Sequence, residues 1–236
     1  MPLHPLVQVL RRNAASFHPV LLFNENKDKL VAMNFTATNT HLTETVVNDT
    51  DLFCRYIDDT LKNAGAVYGM GGYNELRTVY SRSNLFAGNG ANAEPRRLHL
   101  GTDIWGAANT PVYAFMGGMV HSFAFNDNYG DYGATLILLH QLEGISFYTL
   151  YGHISLKNIS TLAAGQYVSR GDCIANFGAV HENGHWPPHL HFQVIADIEL
   201  KEGDYPGVCK FSEKEKYLDN CPDPDLILQL NRFMAK

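Results

Sequence analysis

Two short segments set a histidine beside a carboxylate or another histidine, and a third ends an apolar run in a histidine, at positions suited to binding a metal or moving protons. His189-Leu-His191 lies in a stretch that alternates His189, His191 and Gln193 with Leu190, Phe192 and Val194. On a β-strand successive side chains take opposite faces, which puts both imidazoles on one polar face and the apolar set inward. His99-Leu-Gly-Thr-Asp103 offers another histidine and a carboxylate, and Tyr151-Gly-His153 ends the apolar run from Phe147 to Tyr151. With eleven histidines in 236 residues, a His-x-His triplet arises by chance in about one of two such chains, so no piece is evidence alone. The ordinary fate of a single histidine is a hydrogen-bonded core or surface residue. The conjunction carries the weight. Three His/Asp ligands suit a catalytic zinc, which keeps its fourth position open. Two further histidines nearby would supply the proton transfers that peptide hydrolysis needs.

A competing motif lies between these segments. His181-Glu-Asn-Gly-His185 matches H-E-x-x-H letter for letter, but that motif works only on a helix, where residues four apart share a face. Asn183-Gly184 is a turn signal, and Trp186-Pro187-Pro188 cannot continue a helix. The segment is therefore expected to be a loop, with His181 and His185 off the metal and Trp186 either at a groove rim or in buried packing.

The elements that must position these residues divide into three stretches. Residues 1–94 read as a mixed α/β extension: a helix over 6–15, a strand over 29–38, and a helix over 51–63 with Gly65 as its C-cap. Gly69 to Gly72 reads as a flexible joint. From about 95 to 200, short segments rich in β-branched and aromatic residues (135–140, 146–151, 166–169, 190–195) alternate with Gly and Asn/Asp turns. Residues 201–236 close the chain, with Asp223-Pro224-Asp225 opening a helix to about Phe233. The fold class is α+β, with a mainly antiparallel β core between helical N- and C-terminal extensions.

Composition excludes several functions. A net charge of -6 with no large Lys/Arg cluster excludes a basic nucleic-acid face. No apolar run approaches the ~20 residues of a membrane span. The N-terminus places Arg11 and Arg12 between apolar residues, unlike an export signal, which points to the cytoplasm; a chain already relieved of its leader, and working in the cell envelope, would read the same. Cys54, Cys173, Cys209 and Cys221 show no C-x-x-C pair and are expected as reduced thiols, with a Cys209–Cys221 bridge as the alternative.

Residues 95–200 resemble the M23, or lysostaphin-type, zinc endopeptidases. The family pattern is H-x-G-x-D, a Tyr-Gly-His element, a Gly-Gln-x-Val-x-x-Gly hairpin and H-L-H-F. Here these stand in order as His99-Leu-Gly-Thr-Asp103, Tyr151-Gly-His153, Gly165-Gln-Tyr-Val-Ser-Arg-Gly171 and His189-Leu-His-Phe192, over less than half of the chain. The resemblance implies the lysostaphin-type fold for the core. It also implies zinc held by His99, Asp103 and His191, with His153 and His189 as the catalytic pair, their individual roles left open. The implied reaction is hydrolysis of peptide bonds in peptidoglycan cross-links or related short peptides. The segment from Gly71 to Arg77 is more similar to M23-like modules embedded in larger enzymes. A non-catalytic zinc-binding module on the same scaffold is the rival, and a structural protein with incidental histidines a third reading. The scissile bond and the oligomeric state are not written in these residues.

Overall fold

The alternating segments around Thr135, Ser146 and Leu190 form the middle of one eight-stranded sheet. The computed structural model describes residues 4–88, 90 and 93–234. The strands are β1 (Leu30–Met33), β2 (Tyr68–Gly71), β3 (Arg96–His99), β4 (Thr102–Trp105), β5 (Pro111–Tyr113) and β6 (Gly118–Asn126). They continue as β7 (Gly133–Leu142), β8 (Ile145–Ile154), β9 (Tyr167–Val168), β10 (Cys173–Asn176), β11 (His189–Ile195) and β12 (Val208–Lys210). The helices are α1 (Pro5–Asn13), α2 (Glu44–Asn48), α3 (Thr50–Ala64), α4 (Leu156–Ile159), α5 (Lys214–Asn220) and α6 (Asp225–Leu228).

The main sheet runs β1-β2-β4-β11-β8-β7-β6-β9, antiparallel throughout except for the β1–β2 pair. Two-stranded pairs β5–β10 and β3–β12 flank it. All seven residues of β11 are buried, because strands cover both its edges and packed layers cover both its faces. Leu190, Phe192 and Val194 join one core with Phe115, Phe147 and Tyr151, as the alternation requires. The helices and the antiparallel sheet together make an α+β fold.

The N-terminal residues are built into this sheet. The segment from 29 to 38 yields the short strand β1, and the helix expected over 51–63 is α3, capped by Gly65 at φ 60°. The glycine-rich stretch 69–72 is a different matter, since most of it is the buried strand β2, paired to β1 and β4. Its glycines admit close neighbours instead of conferring flexibility. A Cβ at Gly69 would meet Met33 Cγ at 2.8 Å, and one at Gly71 would meet Arg77 Nη2 at 2.6 Å.

The C-terminal helix is also shorter than its opening signal suggests. It ends at Leu228, with Gln229 at φ 52°, because Asp225 Oδ1 accepts from Leu230 and Asn231 N–H and turns the chain away. All four cysteines are free thiols, so the Cys209–Cys221 bridge does not form. Among the described residues no helix is long and apolar enough to cross a membrane.

Candidate metal centre and histidine pair

Strand pairing brings the three sequence segments together. In the sheet His191 stands opposite Asp103 on β4 and opposite Gly152 on β8, while His189 stands opposite Trp105. His99 ends β3 and Asp103 lies in β4, separated by the tight Leu100-Gly101 connection. Gly101 is needed for space: a Cβ there would lie 2.5 Å from His191 Cε1 and 2.8 Å from the Phe192 carbonyl oxygen.

Three atoms able to ligate a metal converge. His99 Nε2 lies 3.0 Å from His191 Nδ1, and Asp103 Oδ1 lies 3.2 Å and 3.0 Å from them respectively. All three residues are buried. Their outward contacts define where the protons sit. His99 Nδ1 faces the Gly72 carbonyl at 3.0 Å, so it donates there and leaves Nε2 with a lone pair. Gln193 spends its amide N–H groups on Pro206 O and Cys221 Sγ, so its Oε1, 2.9 Å from His191 Nε2, accepts. His191 Nδ1 therefore also presents a lone pair. Two imidazole lone pairs and a carboxylate oxygen then face one another with no donor between them, an arrangement that suits a cation and nothing neutral.

Asp103's second oxygen, Oδ2, accepts from Arg77 Nη1, and Arg77 Nε donates to Glu75 Oε2 at 2.7 Å. Burial would raise the Asp103 pKa, but facing His99 and Arg77 hold it well below the usual carboxylate value. Burial, reinforced by Arg77, lowers His99 to about 4, so it is neutral and ready to ligate at pH 7. Tyr132 closes the other side, its hydroxyl 3.2 Å from the Tyr205 carbonyl and 3.4 Å from His191 Nε2.

His153 and His189 lie alongside, their rings tilted at 33° with centroids 4.1 Å apart. His189 stacks on Trp105 at 3.9 Å. His153 Nδ1 donates to the Asn183 carbonyl at 2.8 Å and His189 Nδ1 to the Pro187 carbonyl at 2.7 Å, so each neutral ring keeps its Nε2 lone pair. Burial drives both pKa values down, His189 to about 4 and His153 well below its ordinary value. His153 also adopts φ 60°, a left-handed conformation uncommon for a non-glycine residue and retained where the surroundings fix it.

The segment from 181 to 188 is a loop of turns, with His181 and His185 exposed and outside the metal-competent group. Trp186 is buried, not at a rim, against the rings of Tyr80, Phe53 and both histidines of the pair. Sequence reading missed Arg77 and Tyr132. Arg77 had a signal, the charged Glu75-x-Arg77 beside a glycine-rich strand, whereas nothing in the local sequence sets Tyr132 apart from other tyrosines.

The family model of peptidase family M23 matches residues 97–202. The chain is 25% identical over 182 residues to the peptidoglycan DD-endopeptidase ShyC of Vibrio cholerae, over 72% of this chain and 38% of that protein. It thus spans little more than a third of that relative's length. A zinc-containing peptidase from Vibrio cholerae is similar over 47% of this chain and 31% of its own, at 29% identity and a TM-score of 0.34. The catalytic domain of lysostaphin from Staphylococcus simulans is similar over 70% of this chain and 96% of its own, at 17% identity and a TM-score of 0.38. The stretch 97–202, which matches the model of peptidase family M23, holds the three converging residues that could bind a metal ion and the adjoining histidine pair.

Proposed function

We propose that this chain is a zinc-dependent endopeptidase that hydrolyses peptide bonds of peptidoglycan cross-links or related short peptides. One observation carries it: the lone pairs of His99 Nε2 and His191 Nδ1 and the Asp103 carboxylate converge on one point, beside two histidines whose Nε2 atoms are free. The donor set fits zinc, since three N/O ligands with outward-facing protons match a catalytic site with one open position. The peptidoglycan substrate rests on the likeness to ShyC.

Zinc bound there supplies Lewis acidity, lowering a water's pKa toward about 7 and polarising the scissile carbonyl. His99, Asp103 and His191 hold the ion, and Arg77 fixes which Asp103 oxygen faces it. His153 and His189 act through Nε2, taking a proton from the attacking water and delivering one to the leaving amine. Low pKa values keep both rings neutral near pH 7, as a proton acceptor must be. Their Nδ1–H donations to the Asn183 and Pro187 carbonyls hold the rings in the required orientation.

Elemental analysis of protein never exposed to chelator tests the ligand assignment. The expected result is about one zinc per chain. Protein devoid of any transition metal, and unable to take up zinc, would contradict it.

A further inference from the structure

We infer that Arg82 is a positioning residue for the His153/His189 pair, acting through the 181–188 loop. The inference rests on the endopeptidase reading above. Arg82 lies outside the stretch matched by the family model, in the turn Val79–Arg82, and is 7% exposed. No carboxylate pairs with it among the described residues. A buried cation without a counter-charge is costly unless its donors and its face are used elsewhere.

Arg82 uses both. The two N–H groups of Nη2 are shared among three acceptors, the His185 carbonyl at 3.0 Å, Thr50 Oγ1 at 2.9 Å and Tyr129 Oη at 2.7 Å. The guanidinium carbon lies 4.6 Å from the centre of the Trp186 ring, 5.0 Å from Tyr129 and 5.5 Å from Phe53. Nε and Nη1 meet no hydrogen-bond acceptor among the described residues, so ring faces are what stabilises that side of the charge. The cation therefore grips two successive loop residues, His185 by its carbonyl and Trp186 by its ring.

Those two residues sit between the carbonyls that orient the pair. Asn183 O receives His153 Nδ1–H and Pro187 O receives His189 Nδ1–H. Asn183 is itself tied to Trp186, its Nδ2 donating to Trp186 O at 2.9 Å and its Oδ1 accepting from Trp186 N at 3.0 Å. Any shift of Trp186 thus moves both carbonyls. Displacements of about 1 Å in such supports cost up to about 10²-fold in rate. Lysine would keep the charge but lose the planar face and the fork of donors.

The test compares Arg82→Met and Arg82→Lys in the zinc-loaded 236-residue chain by steady-state kinetics and by NMR exchange of the His153 and His189 Nδ1 protons. For Arg82→Met the account expects kcat lower by about tenfold with KM within about twofold, and Nδ1–H exchange faster by about tenfold. Arg82→Lys should fall between Met and wild type on both readouts. A purely structural role would lower the melting temperature while leaving kcat and imidazole exchange unchanged, and that result overturns the proposal. Should Arg82→Met not fold, Tyr129→Phe removes one acceptor at a residue 41% exposed. It should move both readouts in the same direction, and no change in either overturns the proposal. If wild-type protein cleaves no peptide, the endopeptidase reading fails, while the exchange measurement still decides whether Arg82 orders the two imidazoles.

Discussion

Arg77 donates from Nη1 to Asp103 Oδ2, and this leaves Oδ1 as the carboxylate oxygen that faces His99 and His191. The guanidinium is buried, supported by Glu75 and Tyr80, and enters from a segment outside the stretch matched to the family. Removing it strands a buried carboxylate and frees it to rotate. Arg77→Met is expected to lose about 3–5 kcal/mol of stability in denaturant titrations and about 10–100-fold in zinc affinity by chelator competition. Unchanged zinc affinity in a folded variant would show that Arg77 stabilises the fold alone.

His189→Ala should keep zinc and lose about 10²–10⁴-fold in kcat, whereas His191→Ala should lose the metal and the activity together. Both residues lie on β11 two positions apart, so the comparison separates proton transfer from ligation on one strand. An empty site in His189→Ala beside a filled one in His191→Ala would reverse the assignment.

Gly101→Ala leaves every ligand in place but puts a methyl group 2.5 Å from His191 Cε1. The His191 ring must move, since the Phe192 backbone on the other side cannot. The expected outcome is a stability loss of about 1–3 kcal/mol and zinc affinity weaker by about tenfold or more. A metal titration matching wild type would mean the ring has slack that the packing does not show.

The chemistry of the site was more legible than its setting. His189 and His191 announced themselves through strict alternation with Leu190, Phe192 and Val194, a local pattern that strand geometry converts directly into a shared face. Trp186-Pro187-Pro188 likewise disposed of the H-E-x-x-H reading by local conformational limits. The strand at Gly69–Gly71 was hidden because its glycines answer to Met33, Phe35 and Arg77, contacts made only after the chain folds. Arg82 was hidden for the same reason, since a buried arginine reads in sequence like an exposed one, and the Glu75-x-Arg77 pair, the one local signal for Arg77, does not say that Asp103 is its partner. The C-terminal helix was over-read because its N-terminal signals are local, while the Asp225 hydrogen bonds that end it close backward.

Four buried histidines share one pH response. His99, His140 and His189 titrate near 4, and His153 well below its ordinary 6.5, all chiefly through burial. A pKa depressed in the folded state means the unfolded chain binds the proton first. Their contribution is therefore fully present above about pH 6.5 and is lost as pH falls through about 4. Melting temperatures of metal-free protein should decline over that window, and a flat profile from pH 6.5 to 4 would show the rings to be more hydrated than their burial indicates.

The most direct test of the central claim is to incubate zinc-loaded protein with purified cross-linked peptidoglycan peptides and count new amino termini by mass spectrometry. Matched samples would be stripped with chelator and then resupplied with zinc. The account predicts cleavage with zinc, none after stripping, and recovery on zinc addition, with His153→Ala inactive at full metal occupancy. Protein carrying one zinc per chain that releases no new amino terminus from any peptide tested would contradict it.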